Sequence, residues 1–440
     1  MREFYRIFAS LLLLIVFSFS ATAFPVQTAE DRQNKTLRWR NPTISIAVSN
    51  SLIKPNFNIK EGSDIAGAVR RSLETWEKAA AVKFEETTTD KQTVSPSGNI
   101  GDGINLITIA QTSENFLLFG KDAEEVAART RVFFNKKGAI TEADIVLNPY
   151  QQFSTDGSIG TFDLESILTH EIGHLLGLEH STMLGATMHE SSGKNGVYNL
   201  PAFDSRTLAE TDLAAVRTLY GGKTEAEICC GSITGKLSAA NGKAVKNYQV
   251  WAEEKETGKV SAEVLADAEG GFQLGGLTPG TYRVFAQRSA ENKAFAVEEL
   301  GEAQVGKGRS ANLTKQLNQA AINFQARYIG FNGQLSDNSV SLNSGKSYKI
   351  YVGGKNLNAE DYKLSFHSPF INVVPKTSVK LDFGENISVI SFDVLVENHA
   401  RVGEYSLFIE SKDGQKAVVI GALSIEKFNN PWSIFSLDAD

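Results

Sequence analysis

The residues with the clearest capacity for chemistry lie in one string, His170-Glu171-Ile172-Gly173-His174-Leu175-Leu176-Gly177-Leu178-Glu179-His180. On a helix of 3.6 residues per turn, positions four apart lie one above the other, so the imidazoles of His170 and His174 can converge on one ion. Glu171 projects roughly a quarter turn away, near that ion without being an obvious ligand, which suits a general base acting on activated water. Gly177 permits a sharp turn that aims His180 back as a third ligand. Three neutral nitrogen donors with an open fourth position are the donor set of a catalytic zinc site. A closed structural site would need a fourth protein ligand, and no cysteine precedes Cys229. A bare His-Glu-x-x-His also occurs on ordinary amphipathic helices. The added glycine and third histidine argue against that reading here. His367 and His399 have no ligand-spaced partners and are expected on the surface.

Such a string needs a scaffold, and the chain from Thr36 to Gly222 offers one. Ile44 to Val48 reads as a strand, and Ile65, Val69, Leu73, Trp76 and Ala80 fall at helical spacing over 65–81, with Ser63 or Asp64 as the cap. Strands follow at Asn105 to Ile109, Ala127 to Phe134 and Ile140 to Leu147, the last two joined by a Lys137-Gly138 turn. The histidine-bearing helix should run from Asp163 to Leu176, and a third helix from Thr211 to Leu219, stopped by Gly221-Gly222. After Gly222 the helical period disappears. Short alternating runs at Ser232 to Leu237, Tyr248 to Ala252, Gly271 to Leu274 and Thr281 to Ala286 predict a small β-sandwich. Beyond a polar segment, runs at Ile322 to Tyr328, Tyr348 to Val352, Val389 to Val396 and Tyr405 to Ile409 predict another.

With the following Ser181, the histidine string resembles the metzincin metalloproteases, specifically the matrixin (matrix metalloproteinase-like) branch, as found in bacterial secreted members. The resemblance implies a zinc metalloendopeptidase with metal ligands His170, His174 and His180 and general base Glu171. It also makes Met188 the methionine of the Met-turn beneath the metal, Met183 being too close to His180. Glu190 stands where other metzincin branches carry a tyrosine. Leu73-Glu74-Thr75-Trp76 with Val82-Lys83-Phe84, Ala143 to Asn148, and Leu208 to Gly222 extend the likeness over most of 36–222. In that family an extended substrate pairs with an edge strand, here Ala127 to Phe134, and the loop Ser191 to Leu208 walls the pocket beyond the scissile bond. The cysteine latency motif and the histidines of a second, structural zinc are missing, so one zinc ion is expected. Gly270-Gly271-Phe272 and Leu277 to Tyr282 resemble carboxypeptidase-regulatory or prealbumin-like sandwiches. Gly354 to Leu357 is faintly immunoglobulin-like.

The expected class is therefore multidomain: an α+β metzincin-like catalytic domain, a twisted mixed sheet with three helices, followed by two all-β sandwiches. The divisions are a signal peptide (1–23), a short N-terminal segment (24–35), the metallopeptidase domain (36–222), the two sandwiches (223–317 and 318–428) and a tail (429–440). The signal reading rests on Arg2 and Arg6, an apolar run from Ile7 to Phe19 shorter than the roughly 20 residues of a span, and Ala21-Thr22-Ala23 as cleavage pattern. It implies a secreted protein, extracellular or periplasmic. No later stretch is apolar enough to span a bilayer.

A chain of 440 residues exceeds one ordinary core, and a net charge of −7 without a basic cluster argues against nucleic acid as a partner. The only cysteines, Cys229 and Cys230, cannot staple distant segments, so packing must stabilise the fold. Asp156 and Asp163 flank a glycine-containing loop and offer calcium a site, beside the readings of solvated loop and helix cap. The expected partners are protein or peptide substrates, with the sandwiches touching substrate or cell surface. Every residue assigned to chemistry precedes Thr224, so a front unit ending there is expected to work alone. Two rival readings are an adhesion or binding protein with a degenerate protease domain, against which the intact Glu171 speaks, and a zinc hydrolase of a non-peptide bond.

Overall fold

The computed structural model describes residues 28–29, 35–98, 100–121, 123–197, 206–222, 230–290, 293–384 and 387–426. The expected signal peptide, Cys229, the C-terminal tail and part of the 191–208 loop lie outside them. Among the described residues no helix is long and apolar enough to cross a membrane. Cys230 is disulfide-bonded.

The front unit is a five-stranded sheet carrying helices. In chain order its main elements are β1 (Thr43–Ser49), α1 (Ile65–Ala79), β2 (Lys83–Thr89), β3 (Leu106–Thr108), β4 (Ala128–Phe134), β5 (Ile140–Leu147), α2 (Leu164–Leu175) and α3 (Glu210–Tyr220). The sheet order is β2-β1-β3-β5-β4. Its pairs are parallel except the last, which runs antiparallel and leaves β4 as an edge. Nearly all of β5 is buried because both faces are covered. Ala143, Ile145 and Leu147 join the core under α1 and α2, while Val146 packs with Val94, Leu106 and Phe119 on the other face.

Asp64 caps α1 by accepting from Gly67 N, and Trp76 on the buried face of α1 donates Nε1 to Thr169 O of α2 at 2.8 Å. That bond fixes the height of the histidine helix on the sheet. Asp163 caps α2, accepting from Ser166 N at 2.9 Å.

Two β-sandwiches follow. The first pairs a sheet built on Gly231–Ala239 with one ordered Val260–Leu265, Gln249–Glu254, Gly280–Gln287, Glu298–Val305. Ser310–Asn312 and Lys315–Leu317 add to Gly231–Ala239 in parallel. The second has Lys346–Lys355 and Ser388–Val396 at the centre of one sheet, and Lys416–Glu426 with Gly403–Ser411 in the other. The α+β front unit followed by two β-sandwiches matches the expected multidomain class.

The front unit is not packed apart from the sandwiches, which bears on the expectation that it works alone. Ala214 of α3 belongs to the core of the first sandwich. Met183, Ala186 and Ala209 are buried in one cluster with Trp251 and Phe285 of the first sandwich and Phe408, Val418 and Ile420 of the second. Fully burying a side chain such as Met183 is worth about 1.5–3 kcal/mol, so cutting near Thr224 would expose apolar surface that the fold covers. His367 is likewise not a surface residue. Its ring stacks on Phe408 at 3.8 Å between centroids, and its Nδ1 lies 2.8 Å from the buried Glu253 carboxylate. Both neighbours come from the interface, which a reading by sequence spacing cannot see.

Candidate metal centre

α2 carries His170 and His174 on one face, and the chain leaves the helix through Gly177 at φ +98°. A Cβ there would stand 2.4 Å from Leu37 O, so both the backbone angle and the close approach require glycine. The turn returns His180 beside the helical pair. One donor nitrogen from each of the three histidines lies within 4.8 Å of the others. His174 Nε2 and His180 Nε2 are 3.1 Å apart. Tetrahedral zinc with ~2.0–2.1 Å bonds needs its nitrogens about 3.3 Å apart, so this pair fits such an ion.

The remaining ring nitrogens of the helical pair are tied down. His170 Nδ1 lies 2.7 Å from Thr187 O and His174 Nδ1 lies 2.8 Å from Leu178 O. Each backbone carbonyl can only accept, so Nδ1 carries the proton and Nε2 offers its lone pair to the centre. Burial holds His170 down to about 3 and His180 to about 4, with neighbouring histidines adding repulsion, and it holds His174 well below the usual imidazole value. All three are neutral near pH 7, the state a divalent cation requires of its ligands. The donor set therefore fits zinc.

Glu171 is buried on the adjoining face of the helix. Burial pushes its carboxyl up to about 7, while the Thr130 hydroxyl and the Arg129 charge pull the other way. The Thr130 hydroxyl donates to Glu171 Oε2, so edge strand β4 holds the carboxylate directly. Sequence reasoning placed β4 beside the cleft but did not find this contact, because a threonine in a strand carries no signal of its partner.

Met188 sits under the triad, and the reason is steric. A Cβ on Gly173 would lie 2.2 Å from Met188 Sδ and 2.9 Å from Trp76, so only glycine leaves the helix flat enough for the sulfur. Asp212 holds the turn by accepting from Thr187 N at 2.9 Å and Met188 N at 3.2 Å. Met183, one loop earlier, is buried in the interdomain cluster instead. His189 is not a ligand: its Nδ1 lies 3.2 Å from Ser181 O and its Nε2 2.9 Å from Asp337 O.

The calcium reading at Asp156 and Asp163 gains no support. Asp156 pairs with Lys60 at 2.6 Å, and Asp163, besides capping α2, pairs with Arg206 at 2.5 Å. Both carboxylates already have cations, and the helix-cap reading of Asp163 is the observed one. Among the described residues the histidine triad is the one group of three or more such donors close enough to share an ion.

A cleft of about 1010 Å³ lies over the triad. Ala127 to Thr130 of the β4 side, Phe162, Ile167 and the 190–194 segment line it.

The Matrixin family (Peptidase_M10) matches over residues 38–221, and the carboxypeptidase regulatory-like domain over 232–318. Metalloendoproteinase 1-MMP of Arabidopsis thaliana is 28% identical over 189 residues, 42% of this chain and 44% of that protein. Metalloendoproteinase 1 of Glycine max is 47% identical over 60 residues, 14% of this chain and 17% of that protein. The chain thus spans less than half the length of these relatives. The major pilin subunit BcpA of Bacillus cereus aligns at 13% identity and a TM-score of 0.18, covering 44% of this chain and 69% of that one, a likeness too slight to argue from.

Proposed function

We propose that the protein, whose residues 38–221 match the Matrixin family, is a secreted zinc-dependent endopeptidase in which Glu171 is the general base. The observation that carries the proposal is the convergence of three neutral imidazoles beside one buried carboxylate, within an open cleft. His170, His174 and His180 would hold the ion. Zinc bound there supplies Lewis acidity toward a carbonyl and lowers the pKa of a water to ~7.

The chain's own residues do the rest. Glu171, held by Thr130 and lining the same cleft as the three histidines, accepts a proton from the attacking water and returns it to the leaving amine. A carboxyl whose proton affinity lies near neutrality suits both halves of that task. The outer edge of β4 borders the cleft, so an extended peptide can add there as a further strand, binding through its main chain. That geometry favours a peptide over an ester of another shape.

The test pairs two variants of the full chain, measured for zinc content and for hydrolysis of a mixed peptide library with and without a zinc chelator. Glu171→Ala should keep its zinc and lose at least about 10²- to 10⁴-fold in rate, since general-base catalysis alone is worth that much. His174→Ala should lose both metal and activity. Metal-loaded Glu171→Ala that cleaves near the parent rate would remove Glu171 from this role.

A further inference from the structure

The front unit does not complete the cleft. Tyr328, Leu335 and Asp337 of the second sandwich also line it. Leu335 lies on the short strand Gln334–Ser336, which pairs antiparallel with Gln325–Phe331 in the register Gly330 to Leu335. The hairpin is tight, because a Cβ on Gly330 would stand 1.8 Å from Gln334 O.

Four bonds fix this hairpin and its sandwich to the chain on either side of Met188. Asp337 Oδ2 accepts from Ser191 Oγ at 2.9 Å, and Asp337 O lies 2.9 Å from His189 Nε2. Ser339 N donates to Leu184 O at 3.4 Å, and Leu184 N donates to Ile420 O at 3.2 Å. Ser191 belongs to the segment that lines the cleft beyond His180, so the sandwich both extends that wall and sets its position.

Two carboxylates on this side lack a close cation, although Arg129 of the β4 side also lines the cleft and its charge reaches His180. Asp337 and Glu190 both line the cleft, and among the described residues neither has a lysine or arginine within 4.0 Å. Glu190 Oε2 lies 3.9 Å from His180 Nδ1. Ser191 engages one oxygen of Asp337 and leaves the other for a ligand. Lys194, the cation of the same segment, is turned toward Phe162, 5.3 Å from its ring centroid.

We propose that the Gln334–Asn338 hairpin is a specificity-determining wall of the substrate cleft, which selects peptides carrying a lysine or arginine on the His180 side of the scissile bond. Leu335 packs the aliphatic stem of that side chain, and Asp337 with Glu190 faces its charge. The proposal rests on the peptidase reading for what occupies the cleft. Its test separates the two.

Binding is measured on the full chain carrying Glu171→Ala, loaded with zinc, using fluorescent extended peptides with lysine or glutamate on one side or the other of a central apolar residue. Hydrolysis of the same peptides is mapped on the catalytically intact chain. The expected result is a preference for lysine over glutamate on one side only. Asp337→Asn, which keeps an acceptor for Ser191, should cut that preference about 2- to 5-fold, as should added salt, because the charges are partly solvated. Leu335→Ala should weaken all side chains at that position and leave the opposite side unchanged. Equal preferences in parent and Asp337→Asn, an equal change on both sides, or no peptide binding to the Glu171→Ala chain would overturn the wall. Intact protein that binds peptides selectively but cleaves none would overturn the peptidase reading and leave the wall standing.

Discussion

Thr130 is the residue whose contribution is easiest to underestimate. Its hydroxyl is the one side-chain donor described on Glu171, and it reaches across from the strand where a substrate would lie. A hydrogen bond to a charged group is worth about 1.5–3 kcal/mol, and part of that will already be present before the proton moves. Thr130→Val keeps the shape and removes the donor. It should lower kcat about 10-fold with little change in KM or zinc content, and Thr130→Ser should restore most of the loss; steady-state kinetics on metal-assayed protein decides. A Thr130→Val enzyme with parental kcat would make the contact merely structural. At this scale the sequence was legible where chemistry depends on spacing. Positions 170 and 174 must share a helix face, and Gly177 must turn the chain. Thr130, Asp212 and Asp337 were not legible, because each acts through a partner far away in the chain.

At the scale of elements, α2 is built around an absence. Replacing a helical glycine by alanine ordinarily gains up to about 1 kcal/mol of helix propensity. At Gly173 the added methyl would meet Met188 Sδ at 2.2 Å and the Trp76 ring at 2.9 Å, and overpacking of a filled core costs about 1–3 kcal/mol. The clash should win, so Gly173→Ala is expected to lower Tm. The double variant with Met188→Ala should lose less than the two singles together, by a coupling of about 0.5–3 kcal/mol read from denaturant unfolding. Strict additivity would mean that the sulfur and the glycine are not packed as described.

The elements themselves were unevenly readable. β5 and α2 stood out because long buried runs and strong periodicity leave little choice. Lys83–Thr89 was visible only through family resemblance, since Phe84 is its single buried residue. Val260–Leu265 escaped notice because Glu263 made it look half polar. That carboxylate is buried and accepts from Ser181 and Thr182 of the front unit. Lys416–Glu426 is nearly continuous burial, with Ile420 turned to the front unit and Leu423 to its own core, so no alternation marks it.

For the whole molecule, the junction of the three units contains a charge problem. Glu404 of the second sandwich is buried against Gly185, with Oε2 lacking a hydrogen-bond partner. Burial first, then the charges of Asp212 and Glu210, raises its carboxyl to about 8, with Lys259 opposing. Asp212 is itself raised to about 6 by burial. Both groups bind their protons more tightly in the folded protein than in the unfolded chain. Their stability contribution is therefore complete below about pH 4 and fades as pH rises through 6 and toward 8. Glu404→Gln removes the larger burden. It should raise Tm by a few degrees at pH 8, have little effect at pH 5, and flatten the decline between them in thermal scans. An equal effect at both pH values would show that the carboxyl does not titrate in the folded state.

The burial of Met183 beside Ile420 also has a consequence in time. A ribosome delivers the histidine string early and the strand that covers Met183 late. At ~5–20 residues per second the interval is on the order of tens of seconds. Throughout it the nascent front unit shows a bare apolar face and a cleft without its far wall. Completion of the proposed catalytic centre would thus be clocked by synthesis of the strand that covers Met183, and a polypeptide abandoned midway would leave a half-built cleft for quality control to remove.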